Sequence, residues 1–384
     1  MMAQRDNLSM DLKPAQSLLG GLSPVQFMRR HWQKQPLLVR QAIVDVAPPV
    51  TRAELFALAA SDDVESRLIQ CDGQGRWRLR QGPLPRRALP PLGQPGWTLL
   101  VQGLDLHVDA AHALLSRFAF VPAVRLDDMM LSYASDRGGV GPHIDSYDVF
   151  LLQVQGRRRW RVGRSERPTL RDDVPLKMLA NFEPEHEWLL APGDMLYLPP
   201  GWAHEGVAIG GDCMTASIGF RAPQADELAQ ALLARLADST AGGERAARYR
   251  DPAQPATTEP GAVPEPLQCF ARQAVARAMA DPVRLERTLG EWLTEPKAQV
   301  WFPAGRGQNI DGGLQLDRRS RMAYDARHIF INGESHRASG RDARLMRELA
   351  DQRRLEGGAV ALASAPARTL LAEWLDSGWL HASA

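Results

Sequence analysis

Cysteine is scarce in this sequence of 384 residues, and long hydrophobic runs are missing from it. Its cysteines, Cys71, Cys213 and Cys269, are odd in number and far apart, which excludes a disulfide framework and a thiolate zinc site. No run of about 18 apolar residues occurs, so no transmembrane helix is expected. The opening segment MMAQRDNLSMDLKPAQ lacks the apolar core of a signal peptide, so we expect a cytoplasmic protein.

An excess of charge of one sign is also missing. The sequence has 46 Lys and Arg against 45 Asp and Glu, a formal net charge of +1. A protein that binds nucleic acid over its whole surface is usually far more basic, so this class is disfavoured, although a local basic patch stays open. Hydrophobic residues at 44% and charged residues at 24% are typical of a soluble globular protein, and the length predicts two or three domains.

The sequence pattern changes twice along the chain. Three N-terminal helices are predicted. A short one opens the segment 22–39 with a capping box of Ser23 and Gln26, a second covers 51–69 with a capping box of Thr51 and Glu54, and a third covers 108–118. From Met129 onward, short β-prone runs separated by Gly and Pro turn signals are typical of a β-barrel or sandwich. After Pro223 the pattern predicts a helix over 225–238, a linker rich in Gly and Pro over 240–266, and then further helices with a small α+β module at the end.

One pair of residues suggests a metal site. His143 and Asp145 are two residues apart, and on a strand this spacing puts both side chains on one face. A third ligand would come from elsewhere, and the segment PPGWAH offers His204. Two histidines and one carboxylate form the facial triad of non-haem Fe(II) oxygenases, which leaves open positions for a 2-oxo acid and dioxygen.

The H-x-D pattern alone is weak, since about 0.5 copies are expected by chance in a chain of this composition. A second copy, His107 with Asp109, runs directly into a helical pattern. On a helix, side chains two residues apart diverge, so we interpret this copy as ordinary polarity at a helix start.

The segment RRRWRV suggests an anion site. Strand alternation puts Arg158 on the same face as Trp160 and Val162, and the neighbouring arginines on the other face. A lone buried guanidinium is very costly, so Arg158 needs a partner. The remote carboxylate of a 2-oxo acid is one candidate, and an internal Asp or Glu is the alternative. The outward arginines form either a solvated face or a contact to the phosphates of an RNA-bearing partner.

These motifs carry a family resemblance. The order of GPHID, an arginine fifteen residues after the first histidine, and PPGWAH resembles the JmjC-type 2-oxoglutarate oxygenases of the cupin superfamily. The segments SPVQFMRRHWQKQPLLVR, DDMMLSYASDRGGVGPHIDSYDVFLLQVQGRRRWRVG and SIGFRAP are more closely similar to the bacterial ribosomal oxygenases. Those enzymes hydroxylate an arginine in 50S ribosomal protein L-sixteen. The resemblance is strongest over residues 20–223.

The resemblance implies an α+β multidomain fold. Its core would be a double-stranded β-helix (a JmjC/cupin jelly roll), with N-terminal helices, a helical dimerisation region and a C-terminal winged-helix module. The expected boundaries are 1–222 for the oxygenase domain, with its β-helix core at about 96–222, 223–300 for the dimerisation region and 301–384 for the winged helix.

The resemblance also implies residue roles. His143, Asp145 and His204 would bind Fe(II) and form the catalytic centre for O2, and Arg158 would bind 2-oxoglutarate. Ser132 matches a further contact to this co-substrate, although it equally suits a polar residue bonded to the backbone.

For an arginyl substrate, the mouth of the site needs oxygen atoms that accept hydrogen bonds from a guanidinium. Tyr147 and Asp148 follow the ligands, and Asp127 and Asp128 precede them. Each of these residues also suits an ordinary turn or rim position.

The implied partners are the ribosomal protein substrate and a second copy of the chain in a homodimer. Direct DNA binding is not expected, because acidic residues offset the basic ones in GRDARLMRELADQRRL. Two other functions stay open. One is a JmjC hydroxylase of another protein or residue, such as a histidyl hydroxylase, and the other is a cupin sensor fused to a winged-helix regulator.

Overall fold

A computed structural model of the chain describes residues 12–240, 248–256, 259–305, 310 and 312–383. It divides into two compact units. The N-terminal unit comprises Met1–Ala222 with Ala298–Phe302, and the C-terminal unit comprises Pro223–Lys297 with Pro303–Ala384. The predicted linker at 240–266 lies partly outside the described residues, at 241–247 and 257–258.

The described part of the N-terminal unit contains α-helices and ten β-strands. The helices are α1 (Pro24–Arg30), α2 (Arg52–Leu58) and α3 (Asp109–Ser116). The strands are β1 (Leu37–Val39), β2 (Ser66–Cys71), β3 (Trp77–Gln81), β4 (Trp97–Val101), β5 (Leu126–Ala134), β6 (His143–Ile144), β7 (Asp148–Arg164), β8 (His186–Leu190), β9 (Met195–Leu198) and β10 (Trp202–Phe220).

These strands form an antiparallel sheet in the order β1-β9-β7-β10-β5-β4-β2-β3, with β8 paired to β7 and β6 paired to β10. The two long central strands each change partners along their length. The first part of β7 pairs with β9 and its second part with β8, whereas β10 pairs first with β6 and later with β5. Each long strand therefore belongs to two sheets, which is the expected double-stranded β-helix.

A register shift between Ile209 and Met214 marks the point where the long strands bend. Gly156 lies opposite this point with a φ of 65°, and an added Cβ would lie only 2.9 Å from the carbonyl oxygen of Asp212. Glycine is required here because the left-handed conformation and the close backbone leave no room for a side chain.

The helix starts predicted from the sequence are confirmed. The Ser23 and Thr51 side chains cap α1 and α2, and both capping boxes are complete. The helix predicted over 51–69 is wrong in its second half, because α2 ends at Leu58 and Ser66–Cys71 is strand β2. Pairing of β2 with β3 and β4 decides this segment, and such long-range pairing overrides local helical periodicity.

Strand β7 separates two hydrophobic clusters. Phe150 and Leu152 join the larger cluster, in which the Phe27 ring lies 5.5 Å from Phe150. Val149 and Leu151 point to the opposite face and join the smaller cluster, which also contains Trp160. This alternation gives the barrel an interior face that is separate from the core under the N-terminal helices.

The described part of the C-terminal unit mixes helices with short strands. The helices are α4 (Ala225–Thr240), α5 (Glu265–Met279), α6 (Pro282–Thr294), α7 (Gly340–Gln352), α8 (Gly357–Ala361) and α9 (Ala365–Asp376). The strands are β11 (Gly313–Leu316), β12 (Met322–Tyr324), β13 (His328–Ile331), β14 (Glu334–Arg337), β15 (Arg354–Leu355) and β16 (Leu380–Ser383). They form two sheets of three strands, β15-β11-β16 and β12-β13-β14. Within the described residues, no helix is long and apolar enough to cross a membrane.

Helix α6 packs so closely on β13 that a methyl group at Gly290 would lie 2.3 Å from the Phe330 ring. We predict that Gly290→Ala lowers the free energy of unfolding by about 1–3 kcal/mol, because overpacking outweighs the gain in helix propensity. Gly358→Ala is the matched control, since nothing lies within 4 Å of its added Cβ, and it should stabilise by roughly 0.5–1 kcal/mol. Urea denaturation measures both, and equal stabilisation of the two variants would contradict the packing.

Candidate metal centre

The structure brings His143, Asp145 and His204 together, and among the described residues they form a cluster with the donor set of a metal site. Their ligand atoms all lie within 4.8 Å of one another. Asp145 is 4.0 Å from Nε2 of His143 and 3.6 Å from Nε2 of His204. The second H-x-D copy differs, since Asp109 begins helix α3 as the sequence predicted.

Strand register positions this cluster. His143 lies directly opposite His204 in the pairing of β6 with β10, and the two rings are 4.3 Å apart. Asp145 follows β6, and its carbonyl oxygen accepts a hydrogen bond from the Gly201 N–H. This bond ties the PPGW turn, which leads into His204, to the segment that carries the other two ligands.

Both histidine rings are held in one orientation by the backbone. Nδ1 of His143 lies 3.0 Å from the Gly141 carbonyl oxygen, and Nδ1 of His204 lies 3.0 Å from the Trp202 carbonyl oxygen. A carbonyl oxygen only accepts, so Nδ1 carries the proton and Nε2 keeps its lone pair towards Asp145.

Burial, reinforced by the neighbouring His143, lowers the pKa of His204 to about 4. His204 is therefore neutral at physiological pH, and neutral imidazole is the form that binds metals.

Arg158 lies on the interior face of the barrel, as strand alternation predicted. It is only 4% exposed, whereas Arg157 on the other face is exposed. Its Nη2 is 3.5 Å from the Ser132 hydroxyl, and its Nε has no hydrogen-bond partner. Within the described part of the chain, no carboxylate lies within 4.0 Å of this guanidinium. The alternative of an internal Asp or Glu partner is therefore not what the structure shows.

Two polar residues of this interior were missed by the sequence reasoning. Thr215 lies beside Ser132 in the β5–β10 pairing and opposite Gln153 in the β7–β10 pairing. Its hydroxyl donates to the Gln153 side chain at 2.9 Å, and its carbonyl oxygen accepts from Ser132 at 3.3 Å. The signal was a glutamine in the middle of the apolar run DVFLLQVQ, which a fully apolar interior would not contain.

Trp160 lies between the cation and the metal cluster. Its ring centroid is 5.7 Å from the Arg158 guanidinium and 5.8 Å from the His204 ring. An added Cβ at Gly206 would lie 2.7 Å from this ring, so any residue larger than glycine would displace the indole.

Tyr147 and Asp128 lie near the metal cluster on the side where β7 begins. Tyr147 is 39% exposed, and partial desolvation of its phenol together with the nearby charges of Asp145 and Asp128 raises its pKa well above the usual range. Asp128 is buried and accepts from the Gln102 amide at 2.7 Å. Asp127 is more exposed and is paired with Arg221 at 3.0 Å. Neutral phenol and carboxylate oxygens therefore surround this edge of the site.

Asp148 does not join this group, and its assignment to the substrate mouth is corrected. It is completely buried, and its carboxylate accepts from the Tyr197 hydroxyl at 2.6 Å and the Gln33 amide at 3.0 Å. Burial raises its pKa, against the opposing effect of these donors. The physical reason is strand alternation, because Asp148 begins β7 on the face of Phe150, away from the barrel interior.

Comparison with known proteins agrees with this geometry. Residues 113–228 match the model of the JmjC domain family, and residues 277–381 match that of the ROXA-like winged helix. The chain is 34% identical to the ribosomal protein uL16 3-hydroxylase of Escherichia coli over 277 residues, which covers 71% of this chain and 72% of the relative. The chain belongs to the JmjC ribosomal oxygenase family.

Solved structures support the same assignment. An X-ray structure of E. coli YcfD superposes with a TM-score of 0.83 at 30% sequence identity, covering 94% of this chain and 98% of that one. A complex of this E. coli ribosomal oxygenase with cobalt and 2-oxoglutarate superposes with a TM-score of 0.80 at 29% identity, covering 94% and 99%. The jelly-roll core and the C-terminal winged helix expected from the sequence are confirmed for this ribosomal oxygenase.

Proposed function

We propose that this ribosomal oxygenase uses Fe(II), 2-oxoglutarate and O2 to hydroxylate an arginine side chain at Cβ in ribosomal protein uL16. The observation that carries the proposal is the pairing of two sites inside one barrel. Two imidazoles and one carboxylate converge at one position, and an unneutralised guanidinium lies on the same interior face.

The donor set fits ferrous iron. His143, Asp145 and His204 supply two nitrogens and one oxygen, and the fixed tautomers leave both Nε2 atoms free to bind. Three protein ligands leave the remaining positions of the metal for small molecules. When bound with 2-oxoglutarate and O2, iron would supply the oxidising power for hydroxylation, with 2-oxoglutarate converted to succinate and CO2.

The Arg158 pocket fits the remote carboxylate of 2-oxoglutarate. Nε of Arg158 has no hydrogen-bond partner, and no described carboxylate balances the guanidinium. A dicarboxylate would neutralise this buried positive charge. Ser132 orients the guanidinium, and Trp160 fills the space between it and His204. The chain therefore holds the co-substrate at its far end and excludes water along its length.

A substrate arginine would enter on the side of Tyr147. The neutral phenol offers an acceptor oxygen to one of the N–H donors of a guanidinium. The relative's activity on uL16 supports this choice of substrate. A ribosomal substrate also supports a location in the cytoplasm.

We propose the domain division 1–222, 223–300 and 301–384, with the middle region forming a homodimer. Helix α5 supports the dimer, since none of its residues is buried and its apolar residues Leu267, Val275 and Met279 are 38%, 55% and 46% exposed. They recur at helical spacing, so a second copy would cover one continuous stripe.

The first prediction concerns the metal. Asp145→Ala and His204→Ala should each lower the affinity for Fe(II). The loss should exceed the 10–100-fold that removal of a residue bonded to a ligand typically costs, because a ligand itself is removed. Anaerobic titration with Fe(II) measures this, and 2-oxoglutarate turnover should fall to background. His107→Ala is the control, and a comparable loss of iron there would show that the wrong H-x-D copy was assigned.

The second prediction concerns the co-substrate. Arg158→Ala should raise the KM for 2-oxoglutarate by tens to thousands of fold, because losing a buried charge-assisted pair costs about 2–5 kcal/mol. Arg161→Ala is the control, since Arg161 lies on the opposite face of β7 and is paired with Glu205. Equal changes in KM for the two variants would refute the pocket.

The third prediction concerns the substrate. A uL16 peptide that contains the target arginine should gain one oxygen, about 16 Da, when incubated with enzyme, Fe(II) and 2-oxoglutarate. Replacing that arginine by lysine should abolish the gain, because a planar guanidinium and an ammonium are not equivalent ligands. An unmodified peptide, together with an unmodified arginine in native ribosomes, would favour a histidyl or other protein substrate.

The fourth prediction concerns the dimer. Light scattering should give about twice 42.4 kDa for the wild type and 42.4 kDa for the double variant Val275→Glu with Met279→Glu. Gln273→Glu on the other side of α5 should leave the dimer intact. A wild-type mass of 42.4 kDa at micromolar concentration would rule the dimer out.

A further inference from the structure

A second cleft, lined by residues outside the metal centre, lies at the β2–β3 hairpin. It has a volume of about 560 Å³ and is lined by Cys71, Arg76, Arg78, Gly96 and Arg137, among others. The backbone is packed tightly here, since an added Cβ at Gly96 would lie 2.3 Å from the Cys71 carbonyl oxygen. The two backbone segments that carry Cys71 and Gly96 are therefore in direct contact at this cleft.

Backbone hydrogen bonds connect this cleft to the outer face of β7. The Cys71 N–H donates to Gly96 at 2.7 Å, and the Gly96 N–H donates to Asp136 at 2.8 Å. Arg137 follows, and its N–H donates to Ala208 of β10 at 3.0 Å. Strand β10 then pairs with β7, so that Ile209 lies opposite Arg157 and Val207 opposite Arg159. At about 4.8 Å per step, this ribbon spans roughly 20 Å.

The exposed surface of this ribbon is basic. We call Arg76, Arg78, Arg137, Arg157 and Arg159 the basic band. Arg76 and Arg137 keep 65% and 73% of their side chains exposed, and Arg78 and Arg157 are exposed as well. Arg159 is half-buried, and its Nε lacks a hydrogen-bond partner.

The acidic residues along the ribbon are already engaged. Asp72 pairs with Arg76 at 2.7 Å, and Asp212 pairs with Arg52 and accepts from Tyr133. Asp136 accepts from the Gly210 N–H at 2.9 Å and lies 3.8 Å from Nε of Arg137. Arg76 and Arg137 are therefore paired, whereas in the part of the chain that the structure describes Arg78, Arg157 and Arg159 have no carboxylate within 4.0 Å. These three arginines give the band positive charge in excess on a chain whose total charge is only +1.

We propose that the basic band binds the phosphate backbone of RNA. Unbalanced guanidiniums on neighbouring segments of one hydrogen-bonded ribbon suit the phosphates of a nucleic-acid strand, since arginine pairs with phosphate in a bidentate manner. An acidic protein segment would place its charges less regularly. This inference takes from the proposed function only the source of the RNA, which would be the ribosomal RNA next to the substrate protein.

The N-terminal unit therefore has two surfaces that suit partners of opposite charge. The edge of the metal centre carries the Tyr147 phenol, which suits a basic protein side chain, with Asp127 paired to Arg221 and Asp128 buried behind it. The basic band suits the RNA that such a protein binds. A substrate presented within a ribonucleoprotein particle would meet both surfaces.

Fluorescence anisotropy with a labelled single-stranded RNA of twelve nucleotides tests the proposal on the full-length protein without iron or 2-oxoglutarate. We expect binding at low salt, and we expect the triple variant R78Q/R157Q/R159Q to bind roughly tenfold more weakly or worse. Its slope of log K against log salt should fall by about 2, since each lost phosphate contact on a single strand contributes about 0.7.

The matched control is R29Q/R30Q/R117Q, which removes the same charge from exposed arginines outside the band. It should keep the wild-type salt slope and an affinity within about threefold of the wild type. Absence of RNA binding at low salt, or equal losses in the two triple variants, would overturn the proposal. Binding to anionic vesicles with the same dependence on the band, without binding to RNA, would also overturn it. Hydroxylation takes no part in this assay, so its result is independent of the proposed function.

Discussion

The antiparallel pairing of β7 with β10 is the constraint on which the rest of the structure depends. These two strands run through both sheets of the barrel, and their register places His204 opposite Val162 and Ala208 opposite Arg158. A slip of one residue would turn all these side chains to the opposite face. His204 and Arg158 are thus fixed by the same ladder of backbone hydrogen bonds, and the pairing of β6 with β10 adds His143 to it.

The barrel interior buries one ionisable ring, His204, and one guanidinium, Arg158. Burial keeps His204 neutral, and the same burial makes the lone Arg158 cation costly until an anion arrives. A dicarboxylate would neutralise the Arg158 cation. Such an interior would favour an anionic ligand, which agrees with a 2-oxo acid better than with a neutral metabolite.

The sequence was most informative where local chemistry decides the structure. Strand alternation placed Arg158 inside the barrel, and the capping boxes placed the starts of α1 and α2. The predictions from the sequence were wrong where pairing between distant strands decides the structure. Helical periodicity was extended into strand β2, and proximity in sequence to Asp145 suggested a role at the mouth for the buried Asp148. The Thr215–Gln153 pair depends on the contact of distant strands, and a single glutamine in an apolar run was its only trace.

A crystal structure of the protein grown anaerobically with Fe(II) and 2-oxoglutarate tests the central claim most directly. The account predicts one iron within roughly 2.0–2.2 Å of His143, Asp145 and His204. It also predicts the remote carboxylate of 2-oxoglutarate on the Arg158 guanidinium, with Trp160 beside the carbon chain. Iron bound through other residues, or a co-substrate whose remote carboxylate lies away from Arg158, would contradict it.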